Sequence, residues 1–388
     1  YAIYLTSDKP HYPYELPKGW CFTNIGELLI NRDGERKPVS SAIRSKQLNK
    51  IYDYYGAAGV IDKIDDYLFD EKLLLIGEDG ANLLSKSKNN AFFAEGKYWV
   101  NNHAHVLDAT DKNLLEYVAI VINAIKLDDY ITGSAQPKLS QDNLNKIPIV
   151  LPPLSEQKRI MEAIIHWSLL IEQIEQNKID LQASIKQAKS KVLDLAIHGK
   201  LVSQDPNDEP ASELLKRINP KAEITCDTPQ YGKLPKGWCL CKISSVVDIV
   251  NGKSQKNVES PTGKYPIYGS GGIIGKAMEY TCLAGSTIIG RKGTINHPIF
   301  VEENFWNVDT AFGMKANNQI LEDKYFYCFC LYFDFSKLDK SSALPSLTKT
   351  AIGNLILPIP PLAEQQRIVA KIEELFSQLD KIESSLQA

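Results

Sequence analysis

The sequence predicts an α+β fold class, with two mixed α/β domains joined by two long antiparallel helices with coiled-coil packing, as a pseudo-two-fold internal repeat. Three observations predict this arrangement. The chain has 388 residues, well above the roughly 150 residues of one typical domain. Short motifs recur in the same order in both halves. Each half ends in a segment without Gly or Pro whose apolar residues step by three and four, as in a long helix.

The repeat covers most of the chain. Leu-Pro-Lys-Gly-Trp occurs at 16–20 and again at 234–238. The other matched pairs are the Tyr-Gly segments 55–61 and 268–274, Trp99 and Trp306, and Pro-Pro-Leu-x-Glu-Gln-x-Arg-Ile at 152–160 and 360–368. The spacing between copies stays between 207 and 218 residues. A period of this size indicates one duplicated domain with small insertions and deletions, and not a solenoid of short units.

Each predicted domain combines short strands and short helices. The apolar runs 73–76 and 287–289 end at glycines and are typical of strands. Segments 114–125 and 323–333 are typical of helices. The predicted limits are 1–150 for the first domain, 151–200 for a central helix, 201–233 for a linker, 234–358 for the second domain and 359–388 for a C-terminal helix.

The central helix is predicted over 155–198, with Ser155 as its N-cap and Gly199 just past its end. Its apolar residues follow a heptad pattern, which favours packing against a matching helix. The predicted packing seam comprises Ile160, Ile164, Trp167, Ile171, Ile174, Leu181 and Ile185 on the first helix and Ile368, Ile372, Leu375, Leu379 and Ile382 on the second. Forty-four residues of helix span about 66 Å, close to two turns of B-DNA at about 34–36 Å each.

Composition excludes several classes of protein. No run of 18 apolar residues occurs, so we expect no membrane partner, and residues 1–14 lack the pattern of a signal peptide. The seven cysteines form no CxxC pair, which argues against a disulfide framework or a zinc ribbon and favours a cytoplasmic protein. The pairs 239/241 and 328/330 are expected on strands, with buried sulfurs.

We find no catalytic motif and expect the chain not to be an enzyme. The glycine-rich segment 269–276 fails the P-loop pattern, because Ser270 stands at the first glycine position and Ala277 follows the lysine. Both such segments are expected to be tight turns. The two Pro-Pro pairs lack the polar and aromatic neighbours that a DNA amino-methyltransferase needs. His103 and His105 could ligate a metal, but DNA contact or a hydrogen-bonded strand edge is favoured, so no metal is predicted.

Basic side chains interleaved with Ser, Asn and Gln are the candidate DNA contacts, because Arg and Lys suit phosphates and guanine while Asn and Gln suit adenine. The electrostatic support is modest. The net charge of the chain is −3, and residues 234–354 carry 13 basic against 10 acidic residues. The candidates are Arg32, Arg36, Lys37, Lys86, Lys88, Asn89, Asn90, His103 and His105 in the first domain, and Lys253, Ser254, Gln255, Lys256, Asn257, Arg291 and Lys292 in the second.

These motifs together resemble the specificity (S) subunit of type I restriction–modification enzymes over nearly the whole chain. The strongest likeness lies in the two Pro-Pro-Leu-x-Glu-Gln-x-Arg-Ile segments, 152–160 and 360–368. Further motifs are the two Leu-Pro-Lys-Gly-Trp segments, Tyr-Gly-Ser-Gly-Gly at 268–272, Gly-Arg-Lys-Gly at 290–293, Trp306 with 309–310, Asn-Asn-His-Ala-His at 101–105 and 196–202 with 208–211.

The resemblance implies a non-catalytic DNA-recognition subunit. Its two target recognition domains would each recognise one half of a bipartite, asymmetric site on double-stranded DNA, with the helices setting the unread spacer. Two methyltransferase (M) subunits, which bring S-adenosylmethionine, would dock on the helices. Motor-nuclease (R) subunits would bring ATP and magnesium, so no cofactor is expected in this chain.

Two alternatives stay open from the sequence. A helical scaffold with two protein-binding domains would show no salt-sensitive DNA affinity. An S-like subunit could also serve a methylation-only system. Opposite charges at matched positions, Arg291-Lys292 against Glu78-Asp79, predict that the two half-sites differ.

Overall fold

A computed structural model of the chain describes residues 15–133, 135–225, 230–292, 294–338 and 346–386. The chain divides into two compact units, Tyr1–Gln173 and Ile174–Ala388. The division falls inside one continuous helix, so the predicted domain limits remain predictions. Residues 1–14, where no signal peptide is expected, lie outside the described residues.

The first unit is a mixed α/β domain followed by the start of a long helix. Its elements in chain order are β1 (Cys21–Asn24), α1 (Ile25–Leu28), β2 (Ile30–Asn31), α2 (Ser41–Arg44), β3 (Tyr52–Gly56), β4 (Gly59–Ile64), β5 (Phe69–Asp70), β6 (Leu73–Gly77), α3 (Asn82–Ser85), β7 (Ala91–Ala94), β8 (Lys97–Val100), β9 (Ala104–Asp108), α4 (Lys112–Ala124), α5 (Gln141–Lys146), β10 (Pro148–Leu151) and α6 (Leu154–Ile197).

Two four-stranded sheets and one strand pair form this domain. The strand orders are β2-β9-β6-β7 and β4-β3-β8-β5, and β1 pairs with β10. Strand β6 is buried along its whole length, because it lies inside its sheet and both faces are covered. Its Leu74 and Ile76 pack in one apolar cluster and Leu73 and Leu75 in another.

The second unit contains the rest of α6 and a second mixed α/β domain. Its further elements are α7 (Ala211–Ile218), β11 (Ile224–Thr225), β12 (Cys239–Lys242), β13 (Val247–Asn251), β14 (Tyr265–Gly269), β15 (Gly272–Ala277), β16 (Ser286–Gly290), β17 (Ile299–Val301), β18 (Trp306–Asn307), β19 (Ala311–Ala316), α8 (Asp323–Tyr332), α9 (Lys349–Gly353), β20 (Ile356–Ile359) and α10 (Leu362–Ser385).

The sheets of the second unit repeat those of the first. Their orders are β13-β19-β16-β17, β15-β14-β18 and β11-β12-β20. Strand β14 pairs in parallel with β18, as β3 does with β8. The mixed helix and sheet content and the internal repeat are therefore confirmed. The predicted strands fall within β6 and β16, and the predicted helices correspond to α4 and α8 within two residues at each end.

The Tyr-Gly segments form tight β-hairpin turns, as expected. Each turn has two residues, 57–58 between β3 and β4 and 270–271 between β14 and β15. The next residue is a glycine with positive φ, +110° at Gly59 and +122° at Gly272. This backbone region favours glycine because it has no Cβ.

Helix α6 begins one residue earlier than expected. The prediction that Ser155 is the N-cap was wrong, because Leu154 is already helical and the Pro153 carbonyl accepts the amide of Gln157 at 3.0 Å. The C-terminal end agrees with the sequence. Gly199 has φ +66°, its amide bonds the Ala196 carbonyl and the Lys200 amide bonds the Leu195 carbonyl, which is the Schellman arrangement.

Within the second unit, the end of α6 and helix α10 run antiparallel. Lys189 on α6 forms ion pairs near the end of α10, with Asp380 at 2.6 Å and Glu383 at 3.0 Å. After α6 ends, Gln204 donates to Glu364 in the first turn of α10 at 3.2 Å. The chain therefore passes α10 from its C-terminal to its N-terminal end.

The cysteine pairs are buried, but only one lies on a strand. Cys239 and Cys241 belong to β12, whereas Cys328 and Cys330 belong to helix α8. The strand prediction for 328/330 was wrong because the helix period, and not alternation, places the aromatic neighbours of that segment in the core. Burial raises the pKa of Cys241 and of Cys328 to about 12, so both thiols are protonated at neutral pH.

A hydrogen bond joins the first motif of each repeat to the last. The Trp20 indole donates to Glu156 at 3.0 Å, and the Trp238 indole donates to Glu364 at 3.1 Å. We call each of these bonds an indole clasp. The glutamine that follows each Glu also bonds back to the carbonyl of the first Pro, at 2.8 Å in the first repeat and 3.0 Å in the second. These motifs therefore fix the long helices to their domains.

The second indole clasp is the more buried. Glu364 is 1 % exposed, and burial raises the pKa of its carboxyl although bonds from Gln204 and Trp238 act against this rise. We expect Glu364→Ala to lower the local free energy of unfolding by about 1–3 kcal/mol, because the buried indole N–H loses its acceptor. Hydrogen exchange of the amides of β12 and α10 measures this loss.

The matched control is Glu156→Ala in the first unit, where the Glu side chain is only half-buried. There, water can replace the lost acceptor, so a smaller effect on β1 and α6 is expected. Equal effects in the two units would contradict the role that burial has in the prediction.

Candidate nucleic-acid interface

The segment 253–257 begins at a backbone carbonyl that is bonded by a tryptophan, and the first domain has a matching bond. Trp306 donates to the Lys253 carbonyl at 3.1 Å, and Trp99 donates to the Lys37 carbonyl at 2.6 Å. A Cβ on Gly252 would lie 1.7 Å from the Val308 carbonyl oxygen, so the segment starts at a close backbone contact. The predicted candidates Lys253, Ser254, Lys256 and Asn257 are exposed, and Gln255 is half-buried.

In the first domain, two of the three corresponding basic residues pair with acids. Arg32 bonds Glu35 at 2.7 Å and Glu71 at 2.6 Å. Arg36 bonds Glu78 at 2.7 Å and also donates to the Ala104 carbonyl at 2.7 Å. Lys37 is exposed. Lys37 is therefore the one of these three that is accessible to DNA without breaking an ion pair.

His105 is a buried structural residue. Its side chain is 1 % exposed, with Nδ1 2.6 Å from Asp33 and Nε2 2.8 Å from the Leu139 carbonyl oxygen. The predicted alternatives were DNA contact or a hydrogen-bonded strand edge. The hydrogen bonds are present, but β9 lies between β2 and β6 and is not an edge strand, and direct DNA contact by His105 would require opening the domain. Burial raises the pKa of Asp33, but the His105 bond and nearby charges outweigh it, so the net pKa lies below the usual value.

Asp33, Glu78 and His105 offer ligand atoms within 4.8 Å of one another, as a metal site would. However, the Arg36 guanidinium already contacts both acids, Asp33 at 3.2 Å and Glu78 at 2.7 Å. Both ring nitrogens of His105 also have partners. The group is therefore best described as an ion-pair network with Arg36 as its cation.

His103 lies apart from His105 and faces solvent. Its side chain is 48 % exposed, and Nδ1 lies 2.6 Å from an Asp79 oxygen. The next two residues of that motif point into the domain, since Ala104 and His105 are buried. The two histidines therefore do not form a shared metal site.

The lysine and asparagine segment after α3 is only partly accessible. Lys86 is half-buried and donates to the Asn123 carbonyl at 3.2 Å. Asn90 is 2 % exposed and donates to the Leu83 carbonyl at 3.1 Å, so its burial prevents DNA contact in this conformation. Lys88 and Asn89 are exposed and remain candidates.

Arg291 and Lys292 are adjacent basic candidates that are both accessible. Both follow β16 and are exposed. Among the residues that the structure describes, neither side chain has an ion pair or a side-chain hydrogen bond. The backbone is nevertheless fixed, because the Arg291 amide donates to the Thr310 carbonyl at 2.7 Å.

The predicted helix seam differs in burial along its length. Ile185, Ile368 and Ile372 are buried, whereas Ile160, Ile164, Leu375 and Leu379 are half-buried. The exposed members are Trp167, Ile171, Ile174, Leu181 and Ile382, at 63, 56, 66, 40 and 45 %. Coiled-coil packing along the whole seam therefore stays a prediction.

The Leu-Pro-Lys-Gly-Trp and Pro-Pro-Leu-x-Glu-Gln-x-Arg-Ile segments recur because their Trp, Glu and Gln side chains form the same hydrogen bonds in both repeats. A comparison with known protein families also matches both repeats. The sequence profile of the family described as "Type I restriction modification DNA specificity domain" matches residues 17–185 and 235–388. The chain belongs to this family.

Curated relatives of the chain carry related descriptions. A putative type I restriction enzyme specificity subunit of Haemophilus influenzae is 24% identical over 93% of this chain and 89% of its own. The EcoDI specificity subunit of Escherichia coli is 22% identical over 96% of this chain and 84% of its own. The membership therefore extends across both repeats.

Solved structures share the fold. The HsdS subunit of Thermoanaerobacter tengcongensis matches with a TM-score of 0.57 at 15% identity, over 96% of this chain and 93% of its own. A structure described in terms of complex assembly and conformational transition of the type I restriction–modification system matches with a TM-score of 0.61 at 16% identity, over 97% and 94%. Among the described residues, no helix is long and apolar enough to cross a membrane.

Sequence analysis missed two features of the interface. Glu78 was not recognised as a partner of Arg36, because the two residues are 42 positions apart in the chain. Asp33 lies only three positions from Arg36, but its second partner, His105, is 72 positions away, so the network was not recognised. The exposed aliphatic pairs Val60-Ile61 and Ile273-Ile274 at the hairpin turns were also missed. Their repetition at matched positions after a glycine was the available signal.

We expect Asp33→Asn to destabilise the first domain by about 1–3 kcal/mol at neutral pH. The reason is that His105 loses its carboxylate partner and Arg36 loses one of its two. A folded-state pKa below the usual 3.8 stabilises the fold above that pH and ceases to do so as the pH falls through it. The difference between variant and wild type should therefore narrow below about pH 4. Urea unfolding, followed by pulse-labelling hydrogen exchange of β6 and β9, measures it.

The control is Asp66→Asn, which changes an exposed carboxylate in the same domain. This control should leave the unfolding midpoint unchanged within about 0.5 kcal/mol. A variant at Asp33 that behaves like the control would contradict the structural role of the network.

Proposed function

We propose that this chain is the non-catalytic subunit that determines the DNA specificity of a type I restriction–modification complex, with each α/β domain recognising one half of a bipartite, asymmetric site. The observation that carries the proposal is the pair of domains with one framework and different exposed loops, in a chain of this family. The shared framework fixes how each domain docks. The loops determine which bases are bound.

The two half-sites should differ because the exposed charges differ. In the second domain, the exposed basic candidates are Lys253, Lys256, Arg291 and Lys292. In the first, Arg32 and Arg36 are held in ion pairs, and acids occupy 78–79. Donors and acceptors of hydrogen bonds recognise different base edges in the major groove. One domain therefore cannot substitute for the other at the same sequence.

We propose that α6 sets the spacer between the half-sites. It is continuous from Leu154 to Ile197 and passes from one unit into the other. Its 44 residues make a rod of about 66 Å. A helix keeps a fixed length because its backbone hydrogen bonds resist extension. The helix α6 would therefore keep the number of base pairs between the two half-sites constant.

We propose that methyltransferase subunits dock on the helical parts, supply S-adenosylmethionine and add positive surface for DNA. A groove of about 650 Å³ between α8, β17 and α10 supports docking by protein, since Phe300, Leu331 and Phe376 line it beside charged residues. The exposed Trp167, Ile171 and Ile174 on α6 support it too. Motor-nuclease subunits, with ATP and magnesium, would join in a full restriction complex.

A cytoplasmic location suits this function. The described cysteines are free thiols and most are buried, as expected in a reducing compartment. A methylation-only assembly would use the same surfaces of this chain, and the presence of a motor-nuclease subunit distinguishes the two systems.

The test of the proposed function is to co-express the chain with its cognate methyltransferase subunit and to map adenine methylation by single-molecule sequencing. We expect a two-part motif with a fixed gap. A stable complex that shows no salt-sensitive DNA affinity would instead favour the protein-binding scaffold. Contacts to DNA phosphates release counterions, so DNA binding that uses them weakens steeply as salt rises.

Exchange of the first domain, residues 16–150, for that of a relative should change one half of the methylated motif and leave the other half and the gap unchanged. The reason is that each domain has its own core. The same exchange of residues 234–358 is the matched control and should change the opposite half. A change of both halves after one exchange would contradict independent recognition.

Insertion of one heptad near Lys178 should lengthen the gap by about three base pairs and leave both half-motifs unchanged. Seven helical residues add about 10.5 Å, and each base pair of B-DNA spans about 3.4 Å. The site precedes Lys189, whose ion pairs with α10 should persist. Methylation mapping reads the gap directly, and an unchanged gap in an active complex would contradict the spacer role.

A further inference from the structure

In both domains the hairpin turn packs against the glycine that ends the central strand. A Cβ on Gly77 would lie 2.6 Å from the Ala57 carbonyl oxygen, and one on Gly290 would lie 3.1 Å from the Ser270 Cβ. A side chain at Gly77 would therefore require the turn to move. This contact brings each turn beside the loop that follows β6 or β16, and we call the combination the turn–loop surface.

The two loops have the same backbone framework. Each is held by one bond from its first amide and one bond to its first carbonyl, and the matching positions are 207–213 residues apart. These bonds are Glu78 N to His103 O at 2.9 Å and Leu139 N to Glu78 O at 2.7 Å in the first domain, and Arg291 N to Thr310 O at 2.7 Å and Leu347 N to Arg291 O at 2.9 Å in the second. Glu78 and Arg291 therefore occupy the same place, as do Asp79 and Lys292.

Two adjacent aliphatic side chains are also exposed just after each turn, at the start of β4 or β15. Val60 and Ile61 are 50 and 57 % exposed, and Ile273 and Ile274 are 62 and 55 % exposed. A single exposed aliphatic residue is ordinary, but an exposed aliphatic pair at matched positions of two diverged domains indicates a shared role. Aliphatic groups at a DNA interface contact the thymine methyl group.

The side chains of the two loops offer opposite hydrogen-bonding chemistry. Arg291 and Lys292 present only donors. In the first domain, Glu78 is held by Arg36 at 2.7 Å and Lys138 at 3.3 Å. His103 is 48 % exposed and its partner Asp79 is 19 % exposed, so the Asp79 carboxylate is partly accessible beside His103. Asp79 has a second carboxylate oxygen beside the one that contacts His103. The first turn–loop surface therefore presents an acceptor where the second presents donors.

We propose that the turn–loop surface is the part of each domain that contacts bases, and that its loop determines which base edge is bound. In the second domain, Arg291 and Lys292 donate to O6 and N7 of guanine, the acceptor pair that these side chains match. In the first, Asp79 accepts from an exocyclic amino group, which cytosine and adenine both carry. The aliphatic pair contacts a neighbouring thymine. This inference rests on the proposed function.

The experiment uses the full chain with its methyltransferase partner and maps the methylated motif for Arg291→Ala, Asp79→Asn and the control Lys337→Ala. Lys337 is exposed in the same domain as Arg291. We expect Arg291→Ala to reduce the preference for guanine at one position of one half-site by about 10- to 100-fold, the range for one bidentate contact. The control should keep the wild-type motif.

Asp79→Asn should relax one position in the opposite half-site, because the amide offers a donor as well as an acceptor. The base that the wild-type motif has at that position shows whether Asp79 binds cytosine or adenine. A relaxed position in the same half-site as Arg291→Ala would overturn the assignment of one surface to each domain.

Arg291→Ala with an unchanged motif would overturn the inference, and so would weaker methylation that is uniform over all sites, because that pattern belongs to a phosphate contact. If methylation is lost, binding of the assembled complex to duplexes that differ at the single guanine decides. Lost discrimination supports the inference, and retained discrimination overturns it. A wild-type complex without any two-part motif would instead contradict the proposed function itself.

Discussion

The hydrogen bond from a tryptophan indole to a helix-start glutamate is the contact on which the arrangement of each unit depends. Trp20 and Glu156 form it once, and Trp238 and Glu364 form it again. It joins the residue just before β1 or β12 to the start of a long helix. Because the second clasp excludes water, its loss would leave an unpaired N–H in the core.

A domain held in this way can change its loops without changing its framework. The matched sheets, the parallel pairing of β3 with β8 and of β14 with β18, and the tryptophan bonds to Lys37 and Lys253 are retained in both copies. The charges that follow β6 and β16 are reversed, with Glu78 and Asp79 in the first domain and Arg291 and Lys292 in the second. Stability and recognition therefore reside in different residues of one repeat.

Charge by itself would have misidentified part of the interface. The first domain contains five Arg or Lys candidates and the second contains four. However, Arg32 and Arg36 are paired with acids, and the further candidates Asn90 and His105 are buried. An arginine in such an ion-pair network connects several segments of the domain, because its five N–H donors bond several acceptors. These donors are then not available to DNA. The accessible candidates of the first domain are thus fewer than its sequence indicates.

The sequence by itself determined the duplication, the two long helices, the hairpin turns at 57–58 and 270–271 and the family resemblance. These features depend on local chemistry: glycine where φ is positive, apolar residues at helical spacing, and motifs repeated at a near-constant offset. Only the tertiary structure decided which basic residues are accessible. Asp33 and His105 are 72 residues apart in the chain but 2.6 Å apart in space, and no local pattern encodes that contact.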